Sequence, residues 1–418
     1  MRATELSELR SSPTLSTFAP TRRLPFSRRL FVLGLVALAG LSLKPAESAE
    51  ANGDGRKGVV VRTMTYNAAL GTGLSARFAT TLDELCEGAG QNIREVDATN
   101  PPLRMRAIAR NILRKKPDLV GLNEADAVLT QIPADNGPLL GGTSATTVRY
   151  EFIRLILDRL NKGKRRYRLV TVHDEFEFEV KANLDGVGFG CDDSETDVRL
   201  ITRNAILKRV GAGVRTSRLR QESYRHQVAF ELLGGVQIAV PRGWESVDAS
   251  VRGSKRFRFV HTHVEAFDNR ERNTMLDTGT DPPTQTVVGN GAVRAIQADE
   301  LVEGPAKARI PVVLVGDLNS NVPGVKPGDE KAFQRILAAG FKRRSTQEPP
   351  SCCIQDDTGG TLADFDHVVD HILAKPGRKI RLVSSSVVGR TKVNGLFPSD
   401  HAGVFSALLV PRKPARHR

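Results

Sequence analysis

The sequence has 418 residues, of which 40% are apolar and 26% are charged. This composition is that of an ordinary globular protein, and it excludes a disordered, collagen-like or multi-span membrane chain. Four cysteines are too few for a disulfide-based scaffold. The net charge is +14, to which residues 1–51 contribute +3 and the remainder +11. Such a charge favours anionic partners such as nucleic acid, phospholipid or phosphate esters without choosing among them, and it is equally compatible with a solvated, arginine-rich surface.

The first fifty residues have the pattern of an export signal. Residues 30–43 form an apolar run that is too short to span a membrane but has the length of a signal-peptide core. A segment similar to the twin-arginine export motif precedes it, Ser27-Arg28-Arg29-Leu30-Phe31-Val32, and small residues allow cleavage after Ala51 or, second, after Ser48. We therefore expect a signal peptide at 1–51 and a periplasmic or extracellular mature protein without a membrane span. The alternative is an uncleaved N-terminal anchor.

Export would place the four cysteines where disulfides persist. Cys86, Cys191, Cys352 and Cys353 allow three complete pairings. Adjacent cysteines rarely bond each other, so one expected arrangement joins Cys86 and Cys191 each to one of the adjacent pair. Four free buried thiols are the equal alternative, and no cysteine or histidine spacing indicates zinc.

Apolar runs rich in β-branched residues alternate with amphipathic segments along the rest of the chain. The apolar runs predict buried strands at 59–66, 118–122, 257–263, 311–315, 367–373 and 404–410. The amphipathic segments predict helices at 103–115, 150–160, 293–302 and 330–339. Polar, glycine-containing segments are expected to be loops at 70–102, 134–147 and 268–291. The alternation favours an α/β fold, with one catalytic domain over 57–411 followed by a basic tail at 412–418.

Polar side chains follow the predicted strands where those strands end, and ligands of α/β proteins usually bind at such ends. These residues are Asn67, Glu124, His263, Asp317, Asn319, Asp400 and His401, while Asp370 lies within a strand. Carboxylate and amide oxygens are the ligands that Mg²⁺ or Ca²⁺ prefers, and histidines beside carboxylates serve as acids or bases. A phosphate ester is hydrolysed by an activated water, with a cation on the phosphoryl oxygens. His261, His367 and His371 lie off these positions and are expected to be packing or rim residues.

Several runs resemble, in order, the motifs of the endonuclease/exonuclease/phosphatase superfamily, which includes DNase I-like nucleases, exonuclease III, bacterial sphingomyelinases and inositol polyphosphate 5-phosphatases. The runs are TYN at 65–67, KPDLVGLNE at 116–124, TRNAIL at 202–207, HTHVEA at 261–266, VGDLN at 315–319, VDHIL at 369–373 and SDH at 399–401. The resemblance covers nearly all of residues 59–410. It implies a four-layer α/β sandwich with two central mixed β-sheets flanked by helices, and a metal-dependent hydrolase acting on phosphate ester bonds.

The resemblance also implies the residues that hold the metal and the substrate. Glu124 is the expected principal metal ligand, supported by Asn67 and Asp400. The expected cation is Mg²⁺, with Mn²⁺ or Ca²⁺ as alternatives. Asn204 is expected to help hold the substrate.

Five further residues carry the chemistry that the resemblance implies. Asp317 and Asn319 are expected to position the attacking water and to hold a phosphate oxygen. His401 is expected to be the base or to stabilise the phosphate, oriented by Asp370. His263 is expected to be a second phosphate contact or the acid for the leaving group.

The substrate depends on charge and on one unusual segment. The +11 charge and the arginines of the predicted helix favour a secreted phosphodiesterase acting on an extracellular polyanion, with nucleic acid ahead of lipid; these arginines are Arg104, Arg106, Arg110 and Arg114. The segment 268–291 is longer than in secreted relatives, but it has no aromatic residue with which to enter a bilayer. A sphingomyelinase- or phospholipase C-like lipid phosphodiesterase and a phosphomonoesterase are the alternatives, and a non-catalytic phosphate-binding module is a further one. No protein partner is indicated, and we expect a monomer.

Overall fold

The structure is a computed structural model, and it describes residues 58–138, 141–191, 195–268, 270–325, 329–346, 348–354 and 358–414. These residues belong to one structural unit. The predicted signal peptide at 1–51 and the last four residues of the predicted tail lie outside the described residues. No helix within the described ranges has both the length and the apolar character that a membrane crossing requires.

The described residues contain eighteen strands and five α-helices, each numbered here in chain order. Strands β1 to β18 are Gly58–Asn67, Leu119–Asn123, Ala127–Gln131, Thr147–Glu151, Tyr167–Ala182, Thr196–Arg209, Val214–Ser223, His226–Leu232, Val236–Val240, Gly243–Val251, Phe257–His263, Asn273–Asp277, Thr284–Val288, Val312–Asp317, Lys342–Arg343, Asp370–Lys375, Arg381–Val388 and Gly403–Pro411. Helices α1 to α5 are Leu82–Ala98, Pro101–Lys115, Phe152–Asn161, Ala292–Glu303 and Lys331–Ala338.

Two mixed sheets form the centre of the fold. The first has the order β17-β18-β1-β2-β6-β3-β4, with β5 also paired to β6, and the second has the order β15-β16-β14-β11-β10-β7. Parallel pairing of β1 with β2 places Asn67 beside Asn123, and parallel pairing of β11 with β14 places His263 beside Asp317. Antiparallel pairing of β14 with β16 places Asp317 beside Asp370. Strand register therefore brings polar residues that are far apart in the sequence to shared positions.

Three apolar clusters separate four layers. The cluster between the two sheets includes Val61, Phe259 and Ile372. A second cluster joins the first sheet to α1, α2 and α3, and a third joins the second sheet to α4 and α5. The order helix, sheet, sheet, helix is the predicted four-layer α/β sandwich with two central mixed sheets, which is confirmed.

Strand β14 shows why the central strands are recognisable as continuous apolar runs. Val313 and Val315 enter the cluster between the sheets, whereas Val312 and Leu314 enter the cluster against α4 and α5. Neighbouring side chains of a strand point to opposite faces, and here both faces are buried. Each such buried side chain contributes roughly 1.5–3 kcal/mol to the stability of the fold.

All six predicted strands and all four predicted helices are present, with ends shifted by up to three residues.

The predicted loop at 70–102 is wrong, because most of its second half is helix α1. Gly88 and Gly90 lower the helix propensity of this segment, which hides it in the sequence. A Cβ on Gly90 would lie 1.9 Å from the carbonyl oxygen of Asn183, so the glycine is required by packing rather than by a turn. The helix begins after Thr81, whose side chain accepts a hydrogen bond from the Glu84 amide.

The predicted loop at 268–291 is also wrong in part, because it contains the hairpin of β12 and β13. The hairpin extends a third, four-stranded sheet of order β13-β12-β8-β9. Met275 of β12 packs against Val228 and Val293, so this segment has its own apolar cluster.

The helix that was predicted to begin at residue 150 is α3, and it begins at Phe152. The Glu151 side chain accepts a hydrogen bond from the Arg154 amide at 2.8 Å and caps the helix there.

The cysteines pair differently from the expected arrangement. Cys86 is bonded to Cys191, and the adjacent Cys352 and Cys353 are bonded to each other. The cross-pairing and the free-thiol alternatives are both wrong. Cys86 lies on α1, and its carbonyl accepts a hydrogen bond from the amide of Asn183, at the start of the loop that leads to Cys191. Packing of this loop against α1 therefore brings the two sulfurs together.

Candidate active site

Asn67 joins two carboxylates at the end of β1. Its Nδ2 donates to Glu124 Oε1 at 2.9 Å and to Asp317 Oδ2 at 3.1 Å. Its Oδ1 accepts the Ala69 amide at 3.0 Å, which sets the orientation of the side-chain amide. The two sheets thus each supply one acidic residue, and Asn67 holds them at one place.

Glu124 follows β2 in the left-handed conformation, with φ of +48°. Its Oε2 accepts the Leu70 amide at 3.3 Å. The segment that carries Leu70 is held by the buried guanidinium of Arg104, which donates to the carbonyls of Ala68, Ala69 and Leu70 at 3.0–3.1 Å. Burial lowers the pKa of Arg104 to about 10, although the charges of Asp400 and Glu124 oppose this. Arg104 was expected among the helix arginines that favour a polyanion, and its burial contradicts that expectation.

His401 and Asp370 form a buried pair. His401 Nδ1 lies 2.9 Å from Asp370 Oδ2, which also accepts a hydrogen bond from Ser351 Oγ at 2.8 Å. The other ring nitrogen, Nε2, lies 3.6 Å from Asp317 Oδ2 and 3.3 Å from Cys352 Sγ. Burial lowers the pKa of His401, but the carboxylates of Asp370, Asp400 and Asp317 outweigh it and hold that pKa well above its usual value.

His263 is held in one tautomer by Arg242. Nη1 of Arg242 lies 3.1 Å from His263 Nδ1, and because a guanidinium only donates, Nδ1 must accept. The ring proton is therefore on Nε2, which lies 3.8 Å from both Glu124 Oε1 and Asp317 Oδ2. Burial and the charge of Arg242 lower the pKa of His263 well below its usual value, so the ring is neutral near pH 7.

Asp317 and Asn319 lie just past β14. The Asn319 amide donates to Asp317 Oδ1 at 2.8 Å, and Asn319 Nδ2 donates to the Val264 carbonyl at 2.9 Å. A Cβ on Gly316 (φ +149°) would lie 2.0 Å from the Thr262 carbonyl oxygen, so a side chain there would push β14 from β11. Burial raises the pKa of Asp317 to about 7, because the opposing charge of His401 only partly offsets the loss of solvent.

An open cleft of about 290 Å³ lies over these residues, and we call it the catalytic cleft. Glu124, Asp317, Asn319, Asp400 and His401 line it. Three of the remaining predicted residues, Asn67, His263 and Asp370, are buried in direct contact with this set. The structure therefore brings together eight of the nine predicted site residues.

Asn204 is the ninth, and it lies behind the cleft. It is fully buried, donates to Glu175 Oε1 at 2.5 Å and accepts from Asn123 Nδ2 at 3.0 Å.

Glu175 and Arg242 were not predicted from the sequence. In the sequence, Glu175 is one of several acidic residues of β5. Only the folded structure shows that Glu175 and Arg242 both lie beside His263. The remaining histidines of the motifs, His261 and His371, are buried outside the cleft, as expected of packing residues.

The chemistry of the donor set fits a hard divalent cation. Carboxylate oxygens of Glu124, Asp126, Asp317 and Asp400 line the cleft. Burial, which is the larger cause, and the negative charge of Glu124 raise the pKa of Asp126 well above its usual value. Asp317, Asp370 and His401 also place ligand atoms within 4.8 Å of one another. The Cys352–Cys353 sulfurs near His401 are bonded to each other and are therefore not thiolate ligands.

The fold and the site together define a DNase I-like phosphoesterase. Residues 64–401 match the model of the Endonuclease/Exonuclease/phosphatase family, and the chain belongs to this family. Members of the family are phosphoester hydrolases and are generally dependent on a divalent metal, so the protein is a hydrolase acting on phosphate ester bonds.

Solved structures of similar fold have low sequence identity to this chain. A mannosyl-6-phosphatase from Bacteroides thetaiotaomicron is 13% identical, over 83% of this chain and 99% of that chain, with a TM-score of 0.47. An endonuclease/exonuclease/phosphatase family protein from Leptotrichia buccalis is 14% identical over 83% and 99%, with a TM-score of 0.46. The human nocturnin catalytic domain with bound sulfate is 14% identical over 85% and 95%, with a TM-score of 0.41. No curated protein matches the sequence.

Proposed function

We propose that the protein is an exported, Mg²⁺-dependent phosphodiesterase. One observation carries the proposal: Glu124 and Asp317, from different sheets, meet at Asn67, with the Nε2–H of His263 directed between them. This places acidic oxygens, a hydrogen-bond donor and the His401–Asp370 pair around one open cleft. Export is supported by the twin-arginine-like segment at 27–32, and Mn²⁺ or Ca²⁺ are alternative cations.

Glu124 and Asp400 would hold the cation, with Asn67 orienting the Glu124 carboxylate. The cation supplies positive charge to the phosphoryl oxygens when it is bound. Two further carboxylates that line the cleft, Asp126 and Asp317, support this assignment, because carboxylate oxygens are the ligands that such a cation prefers.

Asp317 and Asn319 would position the attacking water. The carboxylate of Asp317 is held by the Asn319 amide and by Asn67, which leaves its orientation little freedom. It can accept a proton from a water in the cleft. Asn319 lines the same cleft and would bind a phosphate oxygen.

The two histidines would act in different ways. His401, paired with Asp370, carries positive charge that stabilises the phosphoryl group as charge accumulates there. His263 offers the Nε2–H that Arg242 enforces, so it would donate a hydrogen bond to the substrate. Because the His263 ring is neutral near pH 7, its Nε2–H is a poor proton donor for a leaving group. This supports the role of a phosphate contact over that of an acid.

Nucleic acid remains one candidate for the diester, since the net charge of +11 that remains without residues 1–51 attracts polyanions. The burial of Arg104 removes one of the four helix arginines from that argument, while Arg106, Arg110 and Arg114 are exposed. The general proposal of a diesterase does not depend on which diester is cleaved.

A panel of substrates tests the proposal. Plasmid DNA, RNA, sphingomyelin, phosphatidylcholine, inositol phosphates and methyl p-nitrophenyl phosphate are each incubated with Mg²⁺, with Ca²⁺ and with EDTA. We expect release of p-nitrophenolate from the small diester with Mg²⁺ and none with EDTA. Faster cleavage of a monoester than of every diester would show a phosphatase instead, and binding without turnover would show a non-catalytic module.

A further inference from the structure

A second cavity opens beside the catalytic cleft. It has a volume of about 150 Å³ and lies between α1, strands β5, β6, β8 and β9, and the segment 70–77. We call it the side cavity. Its walls are almost wholly apolar, and four phenylalanines contribute to them: Phe176, Phe178, Phe230 and Phe267. None of these four belongs to a motif that the family resemblance identified.

The side cavity and the catalytic cleft share wall residues. Leu70, Thr202, Arg242 and Phe267 line both. The amide of Leu70 donates to Glu124 Oε2, while Leu70 also lines the side cavity. A single residue therefore separates the expected metal ligand from the apolar space. A group attached to a phosphate in the cleft would enter the cavity past the residues that line both spaces, Arg77 among them.

Two side-chain oxygens at the side cavity already accept hydrogen bonds within the protein. Asn92 Oδ1 accepts hydrogen bonds from Thr72 Oγ1 and from the Ser75 amide, and Thr202 Oγ1 accepts one from the Phe176 amide. Such a wall offers little to a polar ligand. An apolar group that enters the cavity loses contact with water and leaves these hydrogen bonds intact.

Arg242 places positive charge at the junction of the two spaces. Its guanidinium carbon lies 5.8 Å from the centre of the Phe267 ring, and its Nη1 donates to His263. Its Nε is buried and has no hydrogen-bond partner among the described residues. The junction thus combines a cation for a phosphate with an aromatic face for the apolar group that the phosphate carries.

We propose that the substrate is an amphiphilic phosphate ester, whose phosphate lies in the catalytic cleft and whose apolar ester group enters the side cavity. The size of the cavity limits that group to about six carbon atoms, because an apolar cavity of about 150 Å³ holds one benzene. A longer chain extends beyond the cavity. The inference rests on the proposed function only for the position of the phosphate.

Calorimetric titration of the Mg²⁺-loaded protein with alkyl phosphates tests this. Methyl, butyl, hexyl and dodecyl phosphate are compared below their micelle-forming concentrations. Affinity should rise about three- to fourfold per methylene up to hexyl and then level off, since each buried methylene contributes about 0.8 kcal/mol. The binding heat capacity should become more negative with chain length over the same range. Equal affinity for methyl and hexyl phosphate would overturn the inference.

Matched substitutions locate the effect. Leu200→Trp narrows the side cavity from β6, whereas Leu169→Trp makes the same change at an exposed site that does not line it. Leu200→Trp should abolish the gain from methyl to hexyl and leave methyl phosphate binding unchanged, and Leu169→Trp should behave as the parent. Ala89→Leu, which enters the cavity from α1, replaces Leu200→Trp if that variant does not fold. A chain-length gain that persists in the folded cavity variant would contradict the inference.

Hydrolysis of methyl p-nitrophenyl phosphate separates this inference from the proposed function. Its p-nitrophenyl group is about as large as the benzene that the side cavity holds, so the readout is whether the parent cleaves this diester at all, and not how Leu200→Trp changes the rate. If the parent binds hexyl phosphate better than methyl phosphate but cleaves no diester, the proposed function fails and the binding site stands. If the parent cleaves the small diester but binds methyl and hexyl phosphate equally well, the proposed function stands and the inference about the side cavity fails.

Discussion

His401 Nδ1 lies 2.9 Å from Asp370 Oδ2, and this pair is buried although both residues are ionisable. The carboxylate fixes the orientation of the ring and favours its charged form. Nε2 is thereby directed toward Asp317 Oδ2, 3.6 Å away. Asp370 thus acts on the site through His401, as a positioning residue.

Asp370→Asn should lower kcat by about 100-fold, in the upper range for loss of a residue that orients a site group. The amide no longer raises the pKa of His401, so the alkaline limb of the pH–rate profile should move to lower pH. Steady-state rates of diester hydrolysis between pH 5 and 10 measure both effects. Ser351→Ala is the control: it removes one donor to Asp370 and keeps the carboxylate, so its profile should stay close to that of the parent. An Asp370→Asn profile that is lowered but not shifted would mean that the pair has only a structural role.

Glu124→Gln should reduce diester hydrolysis by at least about 10²–10³-fold, because the neutral side chain no longer attracts the cation. Calorimetric titration with Mg²⁺ should show weakened binding, and circular dichroism should show an unchanged fold. In the parent, EDTA should abolish activity and Mg²⁺ or Mn²⁺ should restore it. Glu222→Gln makes the same change on the exposed strand β7 and should leave both rate and metal affinity unaltered. Parent-like hydrolysis by Glu124→Gln would show that the metal is held elsewhere.

Removal of the Cys86–Cys191 disulfide should lower the free energy of unfolding by about 2–4 kcal/mol, because the bond closes a loop across a separation of 105 residues. The double variant Cys86→Ser with Cys191→Ser is compared with the parent by urea unfolding. A reductant should destabilise the parent by a similar amount and the double variant much less, since Cys352–Cys353 joins adjacent residues and closes almost no loop. Equal urea midpoints for parent and variant would contradict the expectation.

His371 should make the protein sensitive to acid. Burial lowers its pKa to about 4, Nε2 lies 2.9 Å from the Ser320 carbonyl oxygen, and the ring packs on Phe333. Because the folded-state pKa lies below the unfolded value of about 6.5, the neutral ring contributes stability that is fully present above pH 6.5 and is lost as the pH falls toward 4. The loss amounts to about 3 kcal/mol.

His371→Gln retains a donor for Ser320 and removes the titrating ring. Urea unfolding of both proteins at pH 7.5 and pH 4.5 measures the difference. Between these two pH values the free energy of unfolding of the parent should fall by about 2–3 kcal/mol more than that of the variant. Most of the loss due to His371 occurs above pH 4.5, between that value and pH 6.5. Equal losses of unfolding free energy in the parent and in His371→Gln would mean that the His371 ring is charged in the folded state at pH 4.5.

The sequence alone identified the central strands and most of the candidate site. Strands buried on both faces, such as β14, need apolar residues at every position, so they stand out against turn residues. The residues that follow them are polar because they meet in a cleft. Asp317 and Asn319 were recognised for this reason, and so was Glu124.

Features that depend on contacts between distant segments were not visible in the sequence. Helix α1 was taken for a loop because Gly90, which weakens the helix, is required by the approach of Asn183. The hairpin at 273–288 was not predicted because its strands are only five residues long and four of the five residues of β13 are exposed, so no apolar alternation marks that strand. Cys86 was paired with the wrong cysteine because no local rule states which loop packs against α1.

The chemistry of the site was therefore determined by the sequence, and its surroundings by the tertiary structure. Short motifs encode Glu124, Asp317 and His401, since a phosphoryl centre needs those residue types at the ends of strands. The charge state of each histidine and the burial of Arg104 depend on contacts with distant segments, and the side cavity arises where α1, β5, β6 and the β8–β9 hairpin meet. These elements are separated by up to about 150 residues, and their contacts exist only once the two sheets have packed, because burial is a property of the folded chain and not of any one segment.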